Sequence, residues 1–313
     1  MRSIFVIAAA ALMASCSNGD ETATNATSQD ERVAVDVAPE AAVSAESGID
    51  VTSRGEGSTD IVLIPGLASP ASVWEDTATR LEDTHRLHLV GVRGFGGSNP
   101  SASTNNVADR MVQDVVAYLD GNDLDNVTIV GHSLGGFTGL RAALASDRVG
   151  RVVVVDALPF YPLVFSPDAT VESAAPRAAA MAMQLRNMPP AAYAAMARRN
   201  AAIMSRSPEA VAQIGDWSVA SDPDTVAEAM EALMTTDLRP RLSEIDVPVH
   251  VLVAHDPAMG VEREAYLKRW RDAYAATPNL SFVPIDDSYH FIMFDQPEAF
   301  ASALDAALKE TDK

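Results

Sequence analysis

The stretch TIVGHSLGG, Thr128 to Gly136, sets β-branched residues before a serine framed by glycines and then opens a helix-forming run. Gly131-His132-Ser133-Leu134-Gly135 is a G-x-S-x-G motif in strand-turn-helix context, a nucleophile elbow whose strained turn lifts the serine hydroxyl above a sheet. Gly131 and Gly135 fit that reading because strand and helix approach closely there. The competing reading is a glycine-rich turn in which Ser133 only caps the helix.

Working outward, short β-rich runs alternate with longer amphipathic ones. Strands are expected at Ile61 to Ile64, Leu87 to Val92, Val127 to Val130, Val152 to Val155, Val249 to Val253 and Phe282 to Ile285. Helices are expected at Ala71 to Glu82, Val107 to Leu119, Leu134 to Ala145, Glu262 to Ala275 and Pro297 to Leu308. Nearly continuous Val, Ile and Leu runs separated by helices predict an α/β fold, a mostly parallel central sheet flanked by helices. From about 157 to 240 no strand is evident, only Ala-, Met- and Arg-containing helical sequence punctuated by Pro176, Pro189, Pro190, Pro208 and Pro223, which predicts a helical insertion.

Four segments in sequence order give the chain a specific likeness. IVLIPGLASPASVW ends in Trp74, GVRGFGGS follows the Leu87 to Val92 run, GHSLGG is the elbow, and SYHFIMFDQPEAF precedes the last helix. Over about Gly48 to Leu308 the chain resembles the α/β-hydrolase fold serine hydrolases. The resemblance implies that the first segment supplies half of an oxyanion hole, that the last carries the catalytic histidine, and that the insertion is a cap. Pro65-Gly66 stands where many members have His-Gly, and Tyr289 where many have Gly; neither removes a catalytic group, because the oxyanion donors are backbone amides.

The chemistry itself requires a base for the serine hydroxyl and a carboxylate to orient that base. Of six histidines, His85 and His88 enter a strand, His132 flanks the serine, His250 starts a strand at the wrong end of the sheet and His255 follows one. His290 lies between the last strand and a helix, as the order serine, acid, histidine demands. Two acids follow strands: Asp256 is the expected triad member, with Asp156 the alternative. Asp246 precedes its strand, and Asp286 and Asp287 fit surface positions near the histidine loop. The oxyanion is expected at the amides of Leu67 and Leu134.

Cleavage of a small to medium carboxylic ester through an acyl-enzyme is the expected reaction. Carbon-carbon or lactone cleavage with the same triad is the alternative, and a catalytically silent, tethered binding protein is a third reading. A serine at the elbow disfavours the dehalogenases and epoxide hydrolases of similar fold, which use a carboxylate nucleophile. The insertion holds Met181, Met183, Met188, Met196, Met204, Met230 and Met234, seven of 12 methionines, suited either to the cap's own core or to an adaptable pocket.

Composition bounds the rest. The 313 residues are 48% hydrophobic with a formal charge of −20, which disfavours nucleic acid as a partner. No metal or cofactor motif occurs: there is no H-E-x-x-H, no Walker loop, and GVRGFGGS lacks the dinucleotide-binding spacing. Arg2, the apolar run Ile4 to Met13 and the small residues before Cys16 read as a signal peptide over 1–15, and LMASC resembles a bacterial lipobox in which Cys16 is lipid-modified. Residues 16–47 are acidic and poor in large apolar side chains, which reads as a tether for the 48–313 domain. An extracytoplasmic, lipid-anchored protein is the expectation, at the outer membrane in a Gram-negative cell, with a soluble secreted form the alternative.

Overall fold

Valine is the commonest residue of the sheet, and in the sheet's centre the valines are buried on both faces. The computed structural model describes residues 47–102 and 105–309, so the signal peptide, Cys16 and nearly all of the expected tether lie outside the described residues. Seven strands, β1 (Ile49–Arg54), β2 (Asp60–Ile64), β3 (Arg86–Val92), β4 (Val127–His132), β5 (Val149–Val155), β6 (Val249–His255) and β7 (Leu280–Asp286), form one sheet in the order β1-β3-β2-β4-β5-β6-β7. Only β1 runs antiparallel to its neighbour. The sequence reading missed β1, whose half-buried edge alternates in burial and offers no continuous apolar run.

Helices α1 (Glu75–Leu81), α2 (Val107–Gly121) and α3 (Leu134–Ala143) follow β2, β3 and β4, and each buries an apolar face. Between β5 and β6 lie α4 (Val171–Arg186), α5 (Pro190–Ala201), α6 (Pro208–Ala220) and α7 (Pro223–Thr235). Three of these open on proline, where the missing amide hydrogen costs nothing, and Ser207 and Asp222 accept the first-turn amides of α6 and α7. Pro176 instead lies inside α4 and does not end it. The four helices pair, α4 on α7 and α5 on α6, and α7 also meets α2, which fixes the insertion to the core. The chain closes with α8 (Arg263–Ala273), α9 (Ile292–Asp295) and α10 (Pro297–Lys309).

Candidate active site

β4 delivers Ser133 at its carboxyl end. The serine has φ 53° and ψ −117°, and its amide donates to Val155 O at 2.8 Å, so the turn is anchored to the neighbouring strand. The tightness of the turn explains its glycines: a Cβ at Gly131 would stand 2.2 Å from Gly135, and one at Gly135 would stand 2.2 Å from Ile64 O. Ser133 makes no side-chain capping bond to α3, so its hydroxyl is left for other work and the cap-only reading is not what the structure shows.

The adjacent strand β5 presents Asp156 one residue beyond Val155, the register partner of His132. Asp156 therefore stands level with Ser133. Its φ of 49° is one that aspartate tolerates better than most residues. Oδ1 accepts from Ala254 N at 3.0 Å, and Oδ2 lies 2.7 Å from Nδ1 of His290. A carboxylate only accepts, so Nδ1 is the donor, and in the neutral ring Nε2 is the nitrogen with the lone pair that a general base needs.

This corrects the expectation for Asp256. β6 runs on to His255, three residues past Leu252, the register partner of Val155, and so carries Asp256 roughly 10 Å above the level of Asp156 at 3.3 Å per residue. There Asp256 is buried, accepts from Ala258 N at 2.7 Å and binds the guanidinium of Arg206 from the cap. It does not meet His290. Both acids come directly after the buried run of a valine-rich strand, so no local signal in the sequence separates them.

His290 sits in the loop after β7, where two contacts invisible in the sequence hold it. His132 Nε2 donates to His290 O at 3.0 Å, and the two rings lie 4.5 Å apart. Burial, then the neighbouring His290, hold the His132 ring well below the usual histidine range, so it is neutral. Asp295 takes the amide of Tyr289 at 2.7 Å and, with its other oxygen, Ser205 Oγ at 2.5 Å and Arg206 N at 2.8 Å. The histidine loop and the α5–α6 corner of the cap are thus tied to one carboxylate.

The Pro65-Gly66-Leu67 turn abuts the serine from β2. A Cβ on Gly66 would come within 3.2 Å of Ser133 Cβ and 2.7 Å of His132 Nδ1. Leu67 lines the space above Ser133, and Leu134 opens α3, where a first-turn amide has no acceptor within the helix. Ser133, Asp156, His290 and Leu67 line one cavity of about 400 Å³ between core and cap. Met181, Met196, Met204 and Met230 from the cap reach it, whereas Met234 is buried outside it and Met183 is 62% exposed on the surface.

The Alpha/beta hydrolase family matches residues 61–303 of the chain. A 3-oxoadipate enol-lactonase of Acinetobacter baylyi is 25% identical over 252 residues, covering 80% of this chain and 88% of that protein. A pimeloyl-[acyl-carrier protein] methyl ester esterase of Nitrosomonas europaea is 25% identical over 268 residues, covering 83% and 99%. In structure, the enol-lactonase from Burkholderia xenovorans LB400 superposes with a TM-score of 0.67 at 24% identity, covering 84% of this chain and 96% of that one. With a mostly parallel sheet, a serine on a strained turn and a family match spanning most of its length, the chain belongs to the alpha/beta hydrolase family and is a hydrolase with esterase and lactonase relatives.

Proposed function

We propose that the chain is a serine hydrolase that cleaves a small to medium carboxylic ester, with Ser133 as nucleophile, His290 as base and Asp156 as the third member. The 2.7 Å contact between His290 Nδ1 and Asp156, in the cavity that also holds Ser133, carries this reading. Ser133 Oγ bonds to the carbonyl carbon as its proton passes to Nε2 of His290, and the amides of Leu67 and Leu134 receive the developing oxyanion. The leaving alcohol takes that proton. Water then gives a proton to His290 and its hydroxide to the acyl carbon, and the bond from that carbon to Ser133 Oγ breaks as His290 returns the proton to the serine, releasing the acid.

Loss of fluorophosphonate labelling and of p-nitrophenyl ester hydrolysis in Ser133→Ala is the expected result; undiminished hydrolysis would overturn the reading. Lactone cleavage is the second reading, supported by the enol-lactonase relative that aligns over 88% of its own length. The same triad serves both bonds, and a lactone tested beside esters of equal acyl length separates them.

The sequence before the described residues supports an extracytoplasmic enzyme anchored through lipid on Cys16, with residues 16–47 as its tether. Cys16→Ala should then move the protein from the membrane to the soluble fraction. Wild-type protein found soluble with a free thiol would refute the anchor.

A further inference from the structure

The cavity above Ser133 has no lysine or arginine among its described lining residues, and its one acidic side chain, Asp156, is engaged by His290. Helix α5 turns Tyr193, Met196, Ala197 and Asn200 toward it, spaced i, i+3, i+4 and i+7 and so on one face. The two of these that can hydrogen-bond are both uncharged. Burial, with Asp222 adding to it, pushes the Tyr193 phenol up to about 12, so it remains an O–H at neutral pH.

The arginines that neighbour the cavity stand outside its described lining. Arg206 borders the adjoining surface depression, where Asp256 binds it and Asp287 stands 3.8 Å away. Arg177 is exposed and stacks on Phe165, 4.4 Å from the ring centroid. An acyl chain ending in a carboxylate would leave water for a space that offers apolar side chains and neutral dipoles, and burial of a charge with no counter-charge is far costlier than burial of a neutral polar group.

We propose that the site selects esters or lactones whose acyl group is uncharged and mainly apolar, and rejects those whose acyl chain carries a carboxylate. This rests on the hydrolase reading above. The chain's net charge of −20 also repels anions from a distance, but that field is screened by salt whereas the burial cost inside the cavity is screened much less.

The test compares, on the wild-type enzyme, the mono-p-nitrophenyl ester of adipic acid with the same compound methylated on its free carboxylate, following p-nitrophenol release. Ser133→Ala provides the background. The neutral compound is expected to have kcat/KM about 100-fold higher or more, and to keep most of that advantage in 1 M salt. Equal rates, or an advantage that vanishes in 1 M salt, would overturn the inference while leaving the hydrolase reading intact. Release no faster than in Ser133→Ala for both compounds, with no fluorophosphonate labelling of the wild type, would overturn the hydrolase reading and this inference with it.

Discussion

His290 Nδ1 and Asp156 Oδ2 meet at 2.7 Å across 134 positions of sequence, and the second oxygen of the same carboxylate is held by Ala254 N. Both oxygens being committed, the carboxylate cannot turn away from the imidazole without losing a backbone bond. Asp156→Asn keeps the shape and tolerates the positive φ but can hold the wrong imidazole tautomer. Its kcat is expected to fall by about 10⁴, as for the same change in a serine protease triad. Asp256→Asn should stay within about tenfold of wild type, because Asp256 does not touch His290. Steady-state kinetics on variants shown to fold by circular dichroism decide the matter, and the reverse pattern would return Asp256 to the triad.

Asp295 acts at one remove from the chemistry. Its ties to Tyr289, Ser205 and Arg206 join the histidine loop to the cap corner, so Asp295→Ala should destabilise the fold by about 2–3 kcal/mol and lower kcat more than it raises KM. Thermal melts and a kcat against KM comparison check this. A variant that melts earlier but keeps its kcat would reduce Asp295 to a structural strut.

His132 gives a pH dependence with a definite sign. Burial holds its folded-state pKa well below the ordinary histidine value of 6.5, so the unfolded chain binds a proton that the native state refuses. The stability it contributes is present above 6.5 and is lost as pH falls through that value towards its folded-state pKa, with a limiting slope of about 1.4 kcal/mol per pH unit for one proton. Replacing it by glutamine should flatten the decline in denaturant midpoint between neutral and mildly acid pH. Superimposable wild-type and His132→Gln curves would refute this account.

Met181 and Met183 were alike in sequence and are unlike in space: the first lines the cavity and the second faces solvent. Met181→Ala should shift the preferred acyl length towards longer chains, by about tenfold or more in relative kcat/KM, since one methylene in an apolar pocket is worth that order of discrimination. Met183→Ala should leave the preference unchanged. A graded series of p-nitrophenyl esters measures both.

Much of the fold was legible because buried parallel strands and amphipathic helices have different periods. All six strands expected from Ile61 to Ile285 are present, as are the helices around them. Edge strand β1 was not legible, since half-exposed backbone pairing leaves a weak apolar signature. Nor could the sequence tell which cap methionines face the cavity, because that depends on how α4 to α7 pack over the core.

By itself the sequence determined the elbow at Ser133, with glycines where a Cβ would strike backbone, and a histidine in the loop before the last helices. Those features are local, written in a few adjacent residues. The choice between Asp156 and Asp256 was not local. It was decided by how far each strand runs past its neighbour: β5 stops level with Ser133, while β6 continues to His255 and carries its aspartate up to Arg206. Strand register is a property of the assembled sheet, so only the tertiary structure could bring one acid to His290 and leave the other holding the cap.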